Sequence, residues 1–438
     1  MSQRAAGGRG GGTTPPHLLL VSTHYWPEET GNAPYVTDLA EHLARRGLRV
    51  TVLTGMPHYP RWQIFPAYRG ALHLHQTVNG VAVRRFRQYV PARQTAARRA
   101  LYEASFLVNA LPHALTERPA AVLAVVPGLA GGVAAAAAAA RWRAPLGLIF
   151  QDLVGNAAAQ SGVPGGGPVS GVTRRLEAWT ARRAAAVAVI SDGFRPYLRR
   201  LGVPEGRMVT LRNWSRAGGP PGGRRPAREA ERARLGWRQD QQVVLHAGNM
   251  GLKQGLEHLL AAARLAVGSR PHLRFVLMGD GSQRTALAAA AAGCPNVSFL
   301  DLQPEGRVAG VLDAADVLLV HERRSVVSMS LPSKLTAYFA AGRPVVAAVA
   351  PGSETAREVL RAGAGLLVPP EEPAALLAAL DRLHADPALA EDLGARGRRY
   401  AATHLSRGRL LARAAEFVQG LYGGGRLPEA ARSVERVS

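Results

Sequence analysis

The sequence predicts an α/β fold made of two Rossmann-like, doubly wound lobes that face a central crevice. Short runs of β-branched and aliphatic residues alternate with helical patterns along most of the chain, which is typical of parallel α/β units. The alternation is interrupted by the Pro-, Gly- and Arg-rich stretch 216–229 and then restarts. At 438 residues the chain also exceeds the size at which one core normally keeps growing. A ligand is therefore expected between the lobes, at the carboxyl ends of the strands.

The first half of the chain begins with the apolar segment 17–27, HLLLVSTHYWP, which reads as a strand that runs into a loop. A helix is predicted over 35–46, because apolar residues recur at i, i+3, i+4 and i+7 from Val36 onward. Gly47 then closes this helix as a C-cap residue would. The strand RVTVLTG follows, then a loop rich in Pro and aromatic residues, and then the strands VAVRRF, AVLAVV, PLGLIF, AVAVI and RMVTLRN.

The second half repeats the pattern after the interruption. Its strands read QVVLHAG, RFVLMGDG, NVSFLDL, ADVLLVHE, PVVAAVA and GLLVPP, with helices predicted over 255–266, 333–341 and 353–361 and three helical segments at the end. The resulting domain prediction is a disordered tail (1–16), a first lobe (17–215), a linker (216–240), a second lobe (241–402), a C-terminal helix expected to cross back to the first lobe (403–425) and a tail (426–438).

The net charge of +23 points to polyanionic surroundings: nucleic acid, anionic lipid or phosphorylated substrates. No zinc-finger spacing, helix-turn-helix signature or aromatic RNA-binding motif accompanies this charge, so no nucleic-acid partner is predicted. The single cysteine, Cys294, allows no intrachain disulfide and indicates a reducing compartment. Residues 1–16 lack the apolar core of a signal peptide. Residues 120–140 carry no charge, but their Pro-Gly turn and alanine run predict strand, turn and helix rather than a membrane span.

Lysine is the rarest cationic residue in this chain. Only Lys253 and Lys334 occur among 54 lysines and arginines, and both lie in loop-to-helix motifs. An ammonium is a compact point charge and a guanidinium a broad planar fork, so the two are not interchangeable at a tight site. We favour the interpretation that both lysines approach phosphate oxygens, over the alternative that they merely survived a drift of composition toward arginine.

Two glycine-rich turns follow apolar strands of the second half. In LHAGNMGLKQGLEHLL, Gly248, Gly251 and Gly255 stand between a strand and an amphipathic helix, with Lys253 among them. Backbone N–H groups at such a turn and at a helix N-terminus bind anions. The spacing matches neither a Walker motif nor GxGxxG, so neither an ATPase nor a nicotinamide enzyme is favoured. The turn Gly279-Asp280-Gly281 closes the next strand, and by itself it is typical of an ordinary tight turn.

Two further helices begin with residues that suit an anion or a sugar. Ser333 and Lys334 open one helix, where a lysine opposes the helix dipole unless an anion is present. Glu354 opens the next helix at the predicted crevice edge, and Glu358 follows one turn later. These carboxylates either complement the helix dipole or bind the hydroxyl groups of a sugar or ribose.

The N-terminal half contributes two histidines and an arginine-rich stretch. His24 and His58 flank aromatic residues in loops, where they would contact an acceptor or a phosphate, or simply pack on Tyr and Trp. No His, Asp and Glu residues have the spacing of metal ligands, so no metal is predicted. The stretch 84–106 mixes arginines with aromatic residues. It is interpreted either as a solvated face over a core helix or as a surface that docks on anionic membrane.

The motifs together resemble family-4 GT-B glycosyltransferases over roughly residues 17–425. HAGNMGLKQGLE, FVLMGDG, ADVLLV, SLPSKLTAYFAAGRPVVA and GSETAREVLRAGAGLLVPPEEP look like the donor-binding lobe, and THYWPEETGNAPYVTDLAEHLARRGLRVTVLTGMPHYPRWQ is similar to the enzymes of colanic-acid-type exopolysaccharide synthesis. The resemblance implies a retaining transfer from a nucleotide sugar, without a required metal, to a polyprenyl-diphosphate-linked glycan. It also implies that Gly31, Asn32 and Lys253 lie beside the donor diphosphate, and that Glu358 approximates the acidic residue of the last motif.

The chain departs from this family at positions that matter. The family commonly carries two glutamates separated by seven residues, and here Met329 and Ala337 occupy these positions. The usual histidine after the fourth strand is also missing, and Asp152 is the nearest polar replacement. The candidates for recognition of the ribose and the transferred sugar are then Ser333, Glu354 and Glu322. The predicted catalytic residues are Asp152 and Glu354, and the predicted donor-binding residues are Gly31, Asn32, Gly248, Asn249, Lys253, Gly279, Asp280, Gly281, Ser333, Lys334 and Glu358.

The prediction that follows is a cytoplasmic, retaining glycosyltransferase of the hexosyltransferase type, peripherally associated with the inner face of the plasma membrane. Its partners are a nucleotide sugar, a lipid-linked or glycan acceptor and an anionic membrane surface, and no cofactor is expected beyond the donor itself. One alternative is a nucleotide-sugar epimerase of the same architecture, which would need carboxylates and a histidine in the first lobe. Another is a catalytically silent partner subunit of a membrane glycan assembly complex, which the missing glutamates would favour.

Overall fold

The structure is a computed structural model that describes residues 15–92, 95–126, 128–153, 166–216, 225–327 and 332–423. The strands are β1 (His17–Val21), β2 (Arg49–Gly55), β3 (His73–Val78), β4 (Val81–Phe86), β5 (Ala121–Val126), β6 (Leu146–Phe150), β7 (Ala186–Val189), β8 (Met208–Thr210), β9 (Gln242–Ala247), β10 (Leu273–Met278), β11 (Val297–Leu300), β12 (Val317–His321), β13 (Val345–Ala348) and β14 (Gly365–Val368). The helices are α1 (Ala33–Arg45), α2 (Ala96–Ala114), α3 (Leu129–Trp142), α4 (Gly166–Arg183), α5 (Arg195–Arg200), α6 (Arg225–Arg234), α7 (Glu257–Ala266), α8 (Arg284–Ala290), α9 (Glu305–Ala314), α10 (Lys334–Ala341), α11 (Glu354–Ala362), α12 (Pro373–Ala385), α13 (Pro387–His404) and α14 (Arg407–Tyr422).

The first lobe is built on an eight-stranded sheet in the order β3-β4-β2-β1-β5-β6-β7-β8. All neighbouring strands are parallel except β3, which pairs antiparallel with β4 at the edge. The inner strands β1 and β5 are buried along their whole length, as expected for a parallel sheet covered by helices on both faces. The predicted doubly wound lobe is therefore confirmed.

The second lobe is built on a six-stranded parallel sheet in the order β11-β10-β9-β12-β13-β14. Its buried apolar residues form two clusters, one on each face of the sheet, as they do in the first lobe. The order of strands is that of a Rossmann-like lobe, so the α/β prediction also holds for this half.

The last helix, α14, packs against the first lobe rather than the second. Leu410, Phe417 and Leu421 are buried in the same cluster as residues of β1 and β5. Arg407 at the start of the helix pairs with the buried Asp38 of α1, with its Nη2 2.7 Å from Oδ1. The chain thus begins and ends its described course on the same lobe.

Polar contacts also join the two lobes across the crevice. Arg61, in the loop after β2, pairs with Asp280 at the end of β10, at 2.9 Å from Nε to Oδ2. Ser191, after β7, hydrogen-bonds to Glu354 at the start of α11. Arg212, after β8, pairs with Glu358 one turn further along that helix. The crevice is therefore bordered by residues of both sheets.

The sequence analysis missed parts of this architecture. The edge strand β3 was not predicted, because its six residues alternate between exposed and half-buried positions and contain four polar side chains. Helix α6 lies inside the predicted linker 216–240, of which residues 217–224 lie outside the described part, as do most of both predicted tails. Helix α3 begins at Leu129, so the uncharged stretch forms strand and helix as predicted. Within the described ranges, no helix has both the length and the apolar character needed to cross a bilayer.

Candidate active site

Each sheet has a switch point, which is the strand at which the direction of the strand order reverses, and both switch points lie at the crevice. Strand β1 lies between β2 and β5, and β9 lies between β10 and β12, so successive crossovers leave these strands in opposite directions. In open α/β sheets the ligand binds outside the carboxyl ends of the strands at such points. The residues that directly follow β1, β5, β9 and β12 are therefore the first candidates for the site.

Two glycine turns of the second lobe pack against each other at the ends of β9 and β10. Gly248, Gly279 and Gly281 have φ angles of 123°, 137° and 150°, which L side chains rarely adopt. A Cβ on Gly279 would lie 2.0 Å from the carbonyl oxygen of Gly248, and one on Gly281 would lie 2.5 Å from Oδ1 of Asn249. The predicted donor-binding residues Gly248, Asn249, Gly279, Asp280 and Gly281 are thus brought together, with a backbone that only glycine permits.

Lys334 lies beside the first of these turns. A Cβ on Gly248 would lie 3.4 Å from the Lys334 Cε, so the lysine passes close over the glycine. Its Nζ is 3.1 Å from Nε2 of His246, a buried residue of β9. Burial lowers the pKa of Lys334 to about 7, although the neighbouring carboxylate of Glu322 acts to raise it. The Lys334 side chain therefore loses its proton far more readily than an exposed lysine does while no anion is present.

The neighbours of Lys334 are titratable as well. Burial, followed by the charge of Lys334, lowers the pKa of His246 well below its usual value, so its Nε2 accepts a hydrogen bond from the ammonium. Burial raises the pKa of Glu322 to about 7, against the hydrogen bond from Thr355 and the charges of both lysines. Glu322 directly follows β12, so this cluster occupies the switch point of the second lobe.

Lys253 faces the first lobe across the crevice. It lies in the 3-10 turn Leu252–Gln254 that follows the first glycine turn. Burial raises the pKa of Asp152, which follows β6, and the charge of Lys253 opposes this rise. Within the part of the chain that the structure describes, the Lys253 ammonium has no hydrogen-bond partner. The second lysine is therefore a cation available to a ligand.

The loop before α1 completes the crevice on the first lobe. Gly31 has a φ of 69°, and a Cβ there would lie 3.3 Å from Cε1 of Tyr59. Asn32 directly precedes α1, and its buried Nδ2 finds no partner among the described residues. Burial, followed by the charges of Asp152 and Glu28, raises the pKa of Tyr59 to about 12. Tyr59 therefore lies beside Gly31 and is affected by the charge of Asp152.

The two glutamates of α11 do not have the predicted environment. The buried carboxylate of Glu354 accepts hydrogen bonds from Ser191 of the first lobe and from Arg357 of its own helix. The buried carboxylate of Glu358 accepts from Arg212, whose Nη1 lies 2.7 and 2.9 Å from its two oxygens. The expectation that either carboxylate is free to bind the donor needs correction, because both are committed to contacts between lobes. A catalytic role of Glu354 stays a prediction without support from these contacts.

The remaining residues of the predicted second-lobe site have simple positions. Ser333 is exposed at the start of α10, and its side chain makes no capping hydrogen bond. Ala337 packs against the apolar core of the second lobe, so no carboxylate reaches the crevice from this turn of α10. Met329 lies outside the described residues. Among the acidic candidates, Glu322 is the one whose pKa the charges of both lysines act to lower.

Sequence reasoning missed a cluster after β1. His24 Nδ1 lies 2.7 Å from Oε2 of Glu28, and the backbone N–H groups of His58 and Tyr59 donate to Oε1 of Glu28 at 2.7 and 2.9 Å. The rings of the two histidines have centroids 5.2 Å apart. Three groups of the kind that bind metals thus lie within 4.8 Å of one another, which corrects the expectation that no such cluster exists. The only local signal was the i, i+4 spacing of His24 and Glu28.

The shifts in the pKa of Glu28 and His58 indicate the charges of these two groups. Burial acts to raise the pKa of Glu28, but the imidazole of His24 and its hydrogen bond outweigh burial, so this pKa is lowered and the carboxylate is ionised. Burial, followed by the neighbouring His24, lowers the pKa of His58 to about 4. His58 is therefore neutral near pH 7 while it packs against Trp62 and Tyr102, at centroid distances of 5.4 and 5.5 Å.

The arginines of the stretch 84–106 have different environments: Arg87 and Arg98 are exposed, whereas others are engaged within the lobe. Arg85 is 1% exposed and Arg84 pairs with Glu117, while Arg99 stacks over the Trp62 ring at 5.2 Å. Arg85 is therefore not available to a docking surface, and membrane docking by the exposed arginines stays a prediction. Helix α2 also exposes two large apolar side chains, Leu101 and Val108, which are 52% and 70% exposed.

Comparison with known proteins agrees with this geometry. Residues 30–214 match the family described as "Glycosyl transferase 4-like domain", and residues 241–386 match "Glycosyl transferases group 1". The chain is 29% identical over 333 residues to the "Putative colanic acid biosynthesis glycosyl transferase WcaI" of Escherichia coli, covering 74% of this chain and 81% of that protein.

Solved structures share the fold. Sucrose-phosphate synthase from Thermosynechococcus elongatus superposes with a TM-score of 0.72 at 19% identity, covering 93% of this chain and all of that one. Anabaena Alr3699/HepE in complex with UDP-glucose gives a TM-score of 0.67 at 18% identity, covering 92% of this chain and 99% of that one. At these identities the likeness concerns the arrangement of the two lobes.

Proposed function

We propose that this chain, which belongs to the family-4 glycosyltransferases of the GT-B fold, transfers a sugar with retention from a nucleotide sugar to a polyprenyl-diphosphate-linked glycan. The observation that carries the donor half of this proposal is the convergence of both lysines of the chain on the switch point of the second lobe. Lys334 crosses the glycine turn after β9, and Lys253 faces the crevice. A relative solved with UDP-glucose and a relative named for colanic acid biosynthesis support the substrate classes.

The donor diphosphate would lie on the glycine turn at Gly248, between the two ammonium groups. Backbone N–H groups approach an anion closely where the turn has no Cβ, and each lysine adds a full charge. These charges would stabilise the diphosphate as it departs, which is the largest contribution that such a site makes to catalysis. The protein thereby supplies the cations itself, and we propose no metal and no further cofactor.

The hydroxyl groups of the donor need partners other than the missing glutamate pair. Glu322 lies beside both lysines, and Asp152 faces Lys253 from the first lobe. We assign Glu322 to the donor's hydroxyls and Asp152 to the sugar that is being transferred. The acceptor hydroxyl would then attack on the face that the diphosphate vacates, while closure of the lobes excludes water.

Helix α2 would bring the first lobe, which is the acceptor-binding lobe of this proposal, to the membrane. Leu101 and Val108 lie two turns apart on the exposed side of this helix, and the exposed Arg98 precedes them. Apolar residues of this kind enter the interfacial layer of a bilayer, and each basic residue near an anionic surface adds about 1 kcal/mol. We therefore place the enzyme at the cytoplasmic face of the membrane, where nucleotide sugars and lipid-linked acceptors meet.

Turnover of a defined donor tests the proposal. Purified protein is incubated with a panel of UDP-, GDP-, dTDP- and ADP-linked sugars, together with synthetic lipid-diphosphate-linked monosaccharides, and released nucleoside diphosphate is measured. We expect release with one class of donor that depends on the acceptor, and a product whose anomeric configuration by NMR equals that of the donor. Absence of release from every donor, or a product of inverted configuration, would contradict the activity or the stereochemistry respectively.

A further inference from the structure

A histidine–glutamate pair lies at the switch point of the first lobe, and the donor site described above does not use it. His24 and Glu28 follow β1, and their side chains are 13% and 1% exposed. The loop after β5 packs against the same segment, because a Cβ on Gly128 would lie 2.8 Å from Cγ2 of Thr23. The pair therefore stands where a doubly wound lobe presents residues to its ligand.

The groups around the two imidazoles determine where their protons lie. An ionised carboxylate and a backbone carbonyl can only accept hydrogen bonds. His24 Nδ1 therefore donates to Glu28, and His58 Nδ1 donates to the carbonyl oxygen of Met56, 2.9 Å away. In the neutral form of either imidazole the proton then lies on Nδ1 and the lone pair on Nε2. Hydrogen bonds therefore account for the positions of both Nδ1 atoms.

The two histidines differ in what their Nε2 atoms can reach. Nε2 of His58 is buried and meets no partner within the described ranges, and the low pKa of this ring keeps it neutral. The His24 ring is partly exposed, and its Nε2 lies on the edge turned away from the buried carboxylate. The titratable groups that face this ring are Glu28, His58 and Tyr59, whose ring centroid is 5.5 Å away. Tyr59 in turn packs against Gly31 in the crevice.

The carboxylate is also held rigidly. Oε1 of Glu28 accepts two backbone N–H groups from the loop after β2, and Oε2 is left for His24. A fixed carboxylate behind an imidazole selects one tautomer, orients the ring and stabilises the imidazolium once a proton arrives. This is the arrangement that a general base requires, and it differs from a histidine that only packs on aromatic rings.

We propose that His24 takes the proton of the acceptor hydroxyl during sugar transfer, with Glu28 as its positioning residue; this rests on the proposed function. In this step the acceptor oxygen forms a bond to the anomeric carbon. The bond from that carbon to the diphosphate oxygen breaks, and its electron pair leaves with the diphosphate. The hydroxyl proton moves to Nε2 of His24, the Glu28 carboxylate stabilises the imidazolium, and the proton passes to solvent when the lobes open.

Three variants test this step: His24→Gln, Glu28→Gln and, as a matched control, His75→Gln at an exposed position of β3. They are compared with wild type in the donor and acceptor pair that the turnover panel identifies. In His24→Gln we expect kcat for transfer to fall about 100-fold or more, the range for loss of a general base. Donor Kd by calorimetry should stay within about twofold, because the proposed diphosphate site at Gly248 and the two lysines is unchanged. The melting temperature should stay near that of wild type, because the amide of the glutamine can still donate a hydrogen bond to Glu28.

The pH profile separates a base from a structural histidine. Wild-type kcat should fall at low pH through one ionisation, because the protonated imidazole cannot accept the hydroxyl proton, and this limb should vanish in His24→Gln. In Glu28→Gln the limb should move to lower pH, because the imidazolium loses its carboxylate partner. His75→Gln should match wild type throughout.

Several outcomes would overturn the proposal while leaving the proposed function intact. These are wild-type transfer rates in His24→Gln, loss of donor binding in parallel with transfer, or a low-pH limb that persists in this variant. A stoichiometric metal ion whose removal by a chelator abolishes transfer would overturn it too. Failure of the proposed function looks different, because wild-type protein would then consume no nucleotide sugar at all.

Discussion

Binding of a nucleotide sugar should become weaker as the pH rises through 7, and Lys334 is the reason. The buried ammonium has a pKa of about 7 in the empty site. A diphosphate beside it favours the protonated form and raises this pKa. Below pH 7 the lysine is already charged and binds directly, whereas above pH 7 binding must first take up a proton. The ionised carboxylate of Glu322 acts to raise the pKa of Lys334, but burial outweighs it.

The magnitude follows from the fraction of protonated lysine. With a pKa of about 7 the ammonium is about three-quarters protonated at pH 6.5 and about 3% protonated at pH 8.5. If only the protonated form binds well, the affinity falls by about twentyfold, or ~1.8 kcal/mol, over this interval. The donor itself does not titrate here, because a nucleotide sugar lacks the terminal phosphate whose second pKa is near 6.

Calorimetry measures both consequences. Kd is determined at pH 6.5, 7.5 and 8.5, each in two buffers of different ionisation enthalpy, so that protons taken up are counted. Wild type should take up nearly one proton at pH 8.5 and less than half a proton at pH 6.5. Lys334→Gln should bind more weakly at pH 6.5 and lose most of the pH dependence. A Kd that is constant across the range without proton uptake would refute the reasoning.

Two further predictions concern parts of the protein outside the diphosphate site. Glu354→Gln should destabilise the protein by about 1–3 kcal/mol in thermal unfolding, because a buried, doubly hydrogen-bonded carboxylate is lost. The donor Kd of this variant should not change. A variant that loses turnover but keeps the wild-type melting temperature would instead support a direct catalytic role of Glu354. Replacing Leu101 and Val108 of α2 together by Ser should weaken binding to anionic liposomes roughly tenfold. Leu265→Ser on α7 is the control, because Leu265 is similarly exposed. If all variants bind liposomes equally, α2 is not the docking helix.

The fold could be predicted from the sequence because parallel strands buried on both faces leave continuous apolar runs. The helix from Val36 to Leu43 and the strand β5 show this clearly, since every predicted core residue in them is buried. Edge strand β3 left no such run, because half of its residues face solvent. Helix α6 was hidden by the composition of the linker around it, since Pro and Gly on one side and many arginines obscure a helix of ten residues.

The candidate site was predictable only where its signals are local. Glycines at the ends of apolar strands predicted the turns at Gly248 and Gly279, because glycine adopts positive φ angles more readily than other residues. Contacts between the lobes could not be predicted from local sequence. Glu354 hydrogen-bonds to Ser191, which lies 163 residues away in the chain, although its carboxylate was expected to be available to the donor. Glu28 was missed for the same reason, since its second oxygen is held by backbone from the loop after β2.

The most direct test of the account is the affinity of Lys253 variants for the nucleotide sugar that wild type consumes. Lys253→Ala removes a charge-assisted hydrogen bond, so binding should weaken by about 1.5–3 kcal/mol, or roughly 10- to 150-fold in Kd. Lys253→Arg keeps the charge but not the compact shape, and we expect it to fail almost as badly. Both variants should keep the wild-type melting temperature, because the Lys253 ammonium makes no hydrogen bond within the described residues. Wild-type affinity in both variants would contradict the central claim that the two lysines of this chain hold the donor diphosphate.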